Sequence, residues 1–129
     1  MYPQEFLYTK DHEWIRVDEN VGTIGITDHA QKELGDIVFV ELPKVGDHVT
    51  AKESFGTVES VKAVSEIYAP VDGDVTAVNP KIQASPEILN ADPHGDAWLI
   101  RVRLTDRNEV EGLMSAEEYE AYIAEEKAH

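Results

Sequence analysis

Short apolar and β-branched runs, cut every few positions by Gly, Asp, Asn or Pro, fill most of the chain and predict strands over long helices. Residues 13–17 are β-rich and partly alternating, and Asp18, Glu19 and Asn20 supply a turn before a second run, residues 21–26. Gly22 and Gly25 inside that run mark close backbone packing. Thr27 then stands as N-cap of a short helix over residues 28–34, with Asp28 placed for the helix dipole and Gly35 as the natural stop. The next run, residues 36–42, holds an unbroken apolar stretch from Ile37 to Val40, which predicts a strand buried on both faces or twisted through the core. Pro43 ends it.

From Val45 to Val78 the strands shorten. Val45-Gly-Asp-His-Val49 and Val71-Asp-Gly-Asp-Val75 echo each other 26 positions apart, and Lys62 lies between two strand patterns, residues 55–60 and 65–68. Two similar β-units back to back make a pseudo-symmetric sandwich or flattened barrel. Residues 79–96 read as an irregular connection, followed by a strand over 98–104 whose Arg101 and Arg103 give one wet face. Two helices are expected to close the chain. Val110, Leu113 and Met114 mark the first; Tyr119, Tyr122 and Ile123 mark the second, which opens on a capping box, Ser115 to Glu118. Both stripes are read as packing onto the β core.

A chain of 129 residues without a Gly/Ser/Pro-rich linker is one domain's worth of material, residues 1–129. The formal net charge of −15 argues against nucleic acid and anionic membrane surfaces and favours basic faces on protein partners. No apolar run approaches a membrane span, and the N-terminus resembles neither a secretory signal nor a transit peptide, so a cytoplasmic chain, or a processed mature chain of the mitochondrial matrix, is expected. With no cysteine, sulfur redox chemistry has to come from an attached cofactor.

Candidate chemistry narrows quickly. The histidines at 12, 29, 48, 94 and 129 are far apart and read as ordinary surface residues, so no metal is expected. No serine sits in a nucleophile elbow, and no phosphate-cradling glycine loop is present. Lys62 differs by context: Glu59, Ser60, Val61 and Ala63 surround it with small or β-branched residues, without an Asn-Gly or Asp-Gly hairpin signal. An amine on such a tip is open on all sides to an acylating enzyme, and as an amide it becomes an uncharged tether. On residues alone, a solvated turn lysine remains the commoner reading.

The string Val58-Glu59-Ser60-Val61-Lys62-Ala63, with Ser-Glu-Ile-Tyr-Ala-Pro-Val-Asp-Gly-Asp-Val at 65–75, closely resembles the lipoylation region of glycine cleavage system H proteins. His-Glu-Trp at 12–14, the strings at 21–31 and 34–43, Gly-Asp-Ala-Trp at 95–98 and Met-Ser-Ala-Glu-Glu-Tyr at 114–119 resemble further landmarks of that family in the same order, so the resemblance spans nearly the whole chain. It implies a mainly β fold: a lipoyl/biotinyl-type flattened β sandwich (hybrid barrel) with a short helix in its N-terminal half and C-terminal helices. It implies lipoate, covalently attached at Lys62, on a carrier that is not itself an enzyme. The implied partners are a pyridoxal-phosphate glycine decarboxylase, a tetrahydrofolate-dependent aminomethyltransferase, dihydrolipoamide dehydrogenase and the lipoyl-attachment enzymes, visited most simply by a monomer. Such a carrier takes the aminomethyl group from the first to the second, then electrons to the third. An aminomethyl group with a protonated amine is held best near carboxylates and away from water, and Glu13 and Glu66 are the acids expected to form that cleft.

Neighbouring families fit less well. Biotinyl carriers place methionines beside the lysine, and lipoyl domains of 2-oxoacid dehydrogenases place Asp before it and continue into a linker; here Val61 and Ala63 flank Lys62. A lipoyl donor for other proteins, a family member without glycine cleavage partners, an acidic interaction domain indifferent to Lys62, and a small hydrolase are the remaining alternatives.

Overall fold

A computed structural model describes residues 2–127. In chain order the elements are β1 (Leu7–Tyr8), β2 (Glu13–Asp18), β3 (Val21–Ile26), α1 (Asp28–Leu34), β4 (Ile37–Glu41), β5 (His48–Val49), β6 (Ser54–Ser60), β7 (Val64–Tyr68), β8 (Gly73–Val78), α2 (Pro80–Ala84), α3 (Ile88–Ala91), β9 (Ile100–Leu104), a 3-10 turn (Arg107–Gly112) and α4 (Ala116–Lys127). They form two sheets, β1-β2-β3-β9-β8-β5 and β4-β6-β7, every strand pair antiparallel. The result is a two-sheet β sandwich, as expected, that does not close into a barrel. No helix among the described residues is long and apolar enough to cross a membrane.

Ile15, Ile24, Val58, Ile67, Val71, Ile100 and Val102 fill the space between the sheets, all within 2% of full burial. The two echoed segments lie against each other: His48 pairs with Asp74 and Val49 with Gly73, so the repeat in sequence is a ladder in space. A second cluster of Tyr2, Phe6, Tyr8, Trp14, Tyr119 and Ile123 seats α4 on the β1-β2 end, as expected of a packing stripe. The capping box is reciprocal, with Glu118 N–H donating to Ser115 Oγ at 3.2 Å and Ser115 N–H to the Glu118 carboxylate at 2.8 Å. Thr27 caps α1 through Ala30 N–H, and Gly35, at φ +79°, ends it. Gly22 and Gly25 are needed for space: a Cβ would stand 2.7 Å from Ile15 Cδ1 at the first and 2.6 Å from Trp14 Cζ2 at the second.

Three expectations are corrected. The run from Ile37 to Val40 is not buried on both faces: Ile37 and Val40 are buried, but Val38 and Phe39 are 51% and 54% exposed, because a register shift between Ile37 and Phe39 turns both outward. The connection 79–96 is not wholly irregular. Asn79 accepts from Lys81 N–H and precedes Pro80 at the first position of α2, and Ile82 and Leu89 of α2 and α3 are fully buried. The helix expected around Val110, Leu113 and Met114 is a 3-10 turn capped by Asp106, ending at Gly112.

Candidate functional site

The β6-β7 hairpin presents Lys62. Its turn is built by Ser60, the buried residue of the tip, whose Oγ accepts from Lys62 N–H at 3.3 Å and Ala63 N–H at 3.1 Å while its own N–H donates to Ala63 O at 2.8 Å. Val61 N–H donates to Asp36 O at 3.0 Å, so the α1-β4 junction braces the tip from behind. Glu59, Val61, Lys62 and Ala63 are exposed. The amine is not open on all sides, as the sequence suggested: a Cβ at Gly35 would stand 3.1 Å from Lys62 Cε, so one flank of the side chain lies along that glycine. Among the described residues no ion pair involves Lys62.

An apolar frame surrounds the tip. Phe39 pairs with Glu59 and Glu59 with Val64, placing the exposed Phe39 and Val64 (66%) on either side of Glu59. Val61, 69% exposed, extends the frame. Val38 and Phe39 escaped the sequence reading because their exposure depends on a bulge.

Glu13 sits elsewhere, in the wall of a cavity of about 460 Å³ between the β1-β2 turn, the β7 end and the segment 112–114. Only 2% exposed, it accepts from Thr9 Oγ1 at 2.5 Å and from Tyr68 N–H at 3.1 Å. Burial pushes its carboxyl up to about 7, with the Thr9 and Tyr68 hydrogen bonds pulling the other way and Asp11 adding to the rise. Lys10, Asp11 and Lys52 also line this cavity. Glu66 is exposed on β7 and does not line it, although strand alternation puts Glu66 on the same face as the lining residue Tyr68. Thr9, the partner of Glu13, had no sequence signal.

The histidines also differ from expectation. His29 is buried, at 7% exposure, and its ring centroid lies 4.5 Å from that of His12; ligand atoms of His12, His29 and Glu33 lie within 4.8 Å of one another. His48 pairs with Asp74 at 3.0 Å on the surface, and His94 accepts from Asp28 N–H at 3.1 Å. His129 lies outside the described residues.

The arrangement offers two kinds of chemistry: a nucleophilic amine on a rigid tip, and a walled carboxyl able to take or release a proton near neutrality. A family model described as "Glycine cleavage H-protein" matches residues 6–126. Curated relatives named "Glycine cleavage system H protein" include one from Koribacter versatilis, 58% identical over 128 residues, covering 99% of this chain and 98% of its own length. Another, from Rubrobacter xylanophilus, is 55% identical over 125 residues and 97% covered on both sides. The crystal structure of a glycine cleavage system H protein from Mycobacterium marinum matches with a TM-score of 0.88 at 40% identity, covering 95% of this chain and 98% of that one.

Proposed function

The chain belongs to the glycine cleavage H-protein family, and from that membership we propose that it is a non-catalytic lipoyl carrier working through Lys62. The observation that supports this most is the exposed Lys62 amine on a turn braced by Ser60 and Asp36, without an ion pair among the described residues to compete for it. These residues fit lipoate: acylation removes the lysine charge at a place where no carboxylate among the described residues pairs with it. When bound, lipoate supplies an exchangeable sulfur pair for one-carbon uptake and redox, which this cysteine-free chain lacks.

The rest of the work falls to the chain's own residues. The frame of Val38, Phe39, Val61 and Val64 gives each partner an apolar footing around the tether. The net charge of −15 speeds encounter with basic faces on the glycine decarboxylase, the aminomethyltransferase, dihydrolipoamide dehydrogenase and the attachment enzymes. In the proposed cycle the carrier takes the aminomethyl group from the first to the second and electrons to the third. Between visits, Glu13 holds the cargo's protonated amine in the walled cavity, with Glu66 on the approach from the tip. From Val64 to Tyr68 the strand runs about 13 Å, the path from tether to cavity mouth. Glu13 suits a cation because burial already makes its unpaired negative charge costly.

The test is reconstitution. With glycine decarboxylase and lipoylated chain, exchange of carbon dioxide into glycine is expected for the wild type and lost in Lys62→Arg; activity that survives in Lys62→Arg overturns the assignment.

A further inference from the structure

Along one side of α1, three elements bring donor atoms together. His12 comes from the turn between β1 and β2, His29 and Glu33 from successive turns of α1, and Glu126 from α4. His29 Nε2 is buried and has no hydrogen-bond partner among the described residues; the Glu33 carboxylate stands 3.4 Å away without hydrogen-bond geometry. A buried nitrogen in that condition is costly, and native interiors seldom leave one so.

We propose that His12, His29 and Glu33 hold a divalent transition-metal ion, with Glu126 facing its fourth position, and that zinc is the ion the site fits. Donors at 2.0–2.1 Å from a tetrahedral zinc stand roughly 3.4 Å from one another. The separations of 3.4 Å between His29 Nε2 and Glu33 Oε1 and 3.3 Å between His12 Nε2 and Glu126 Oε2 already match that edge. Ligand atoms of His12, His29 and Glu33 lie within 4.8 Å, so small side-chain rotations close the set.

The surroundings are those of a ligand sphere. The Tyr119 hydroxyl lies 2.8 Å from His12 Nδ1 and 2.7 Å from Thr27 Oγ1, which orients the ring and leaves Nε2 for the metal. His12 itself is held at φ +69°, a conformation uncommon outside glycine, by hydrogen bonds from its N–H to Thr9 O and from Thr27 N–H to its carbonyl. Asp11, Glu33 and Glu126 bring negative charge to the ring. Two imidazoles with carboxylates suit zinc, whereas calcium and magnesium call for all-oxygen shells. Bound there, the ion ties α4 to α1, the helix whose terminal glycine lies along Lys62.

The full chain, stripped with a chelator, is titrated with Zn²⁺ against a chromogenic competitor, and with Co²⁺ as a spectroscopic probe of tetrahedral ligation. One equivalent is expected to bind, raising Tm, with Ca²⁺ and Mg²⁺ unable to displace it. His29→Gln is expected to weaken binding by about 100-fold, and Glu33→Gln, an exposed helix position that leaves folding intact, by at least about tenfold. Zinc binding of unchanged strength in folded Glu33→Gln and His29→Gln chains, or none in the wild type, overturns the site; the first outcome assigns the metal to adventitious surface carboxylates.

Discussion

Replacing Glu13 by Gln isolates the cost of burying a carboxylate in the wall of the cavity. The folded state holds the Glu13 proton up to about 7, against an ordinary value of 4.5. Folding therefore takes up a proton between those values, and the native state loses stability as pH rises through the window. At about 1.4 kcal/mol per pH unit, the full loss is about 3 kcal/mol, complete above pH 7 and absent below 4.5. At 2% exposure there is little solvent to screen it. For a chain of this length that is roughly 10 °C in Tm. Gln keeps an acceptor for Tyr68 N–H, and whatever it loses at Thr9 is an offset that does not vary with pH. Urea or thermal unfolding of both chains from pH 5 to pH 8.5 reads the difference. The stability of Glu13→Gln relative to wild type is expected to climb with pH across the window and level off above it. Parallel curves would refute the reasoning, because the other acids of the chain are common to both proteins.

Other outcomes follow from the same geometry. Gly35→Ala forces a Cβ into the left-handed region and to within 3.1 Å of Lys62 Cε; a loss of about 1 kcal/mol by thermal unfolding and slower lipoylation by the ligase are expected. Ser60→Ala leaves Lys62 N–H and Ala63 N–H without their shared acceptor; about 1–2 kcal/mol lower stability and a reduced kcat/KM for attachment should appear together. Glu13→Gln with Glu66→Gln is expected to shorten the lifetime of the aminomethyl-loaded carrier in the absence of partners, measured by mass spectrometry over time; an unchanged lifetime removes both acids from the cleft.

Local signals in the sequence carried through to the structure. Thr27, Gly35 and the Ser115–Glu118 box each act within a few residues, so the helix limits they imply survive folding. The echo around Val45 and Val71 was legible in the sequence, and in the fold its two segments pair as β5 against β8. The bulge at Val38 was not: a register shift depends on the partner strand β6, and the apolar run gives no sign of it. Nor was the meeting of His12 with His29. The β2-β3 hairpin folds 17 positions of chain back on itself, with His12 O bonded to Thr27 N–H, and no spacing motif encodes that return. Glu13 was singled out as a cleft acid, but its burial follows from Thr9 and Tyr68, one local and one 55 residues away.

The role of Lys62 is open to one direct measurement: the intact mass of the chain produced with lipoate and its ligase, with peptide mapping across residues 58–68. A single lipoyl increment on Lys62, absent from Lys62→Arg, is the predicted result. A chain left unmodified by a ligase proven active on another carrier, or an increment on a different lysine, would contradict it.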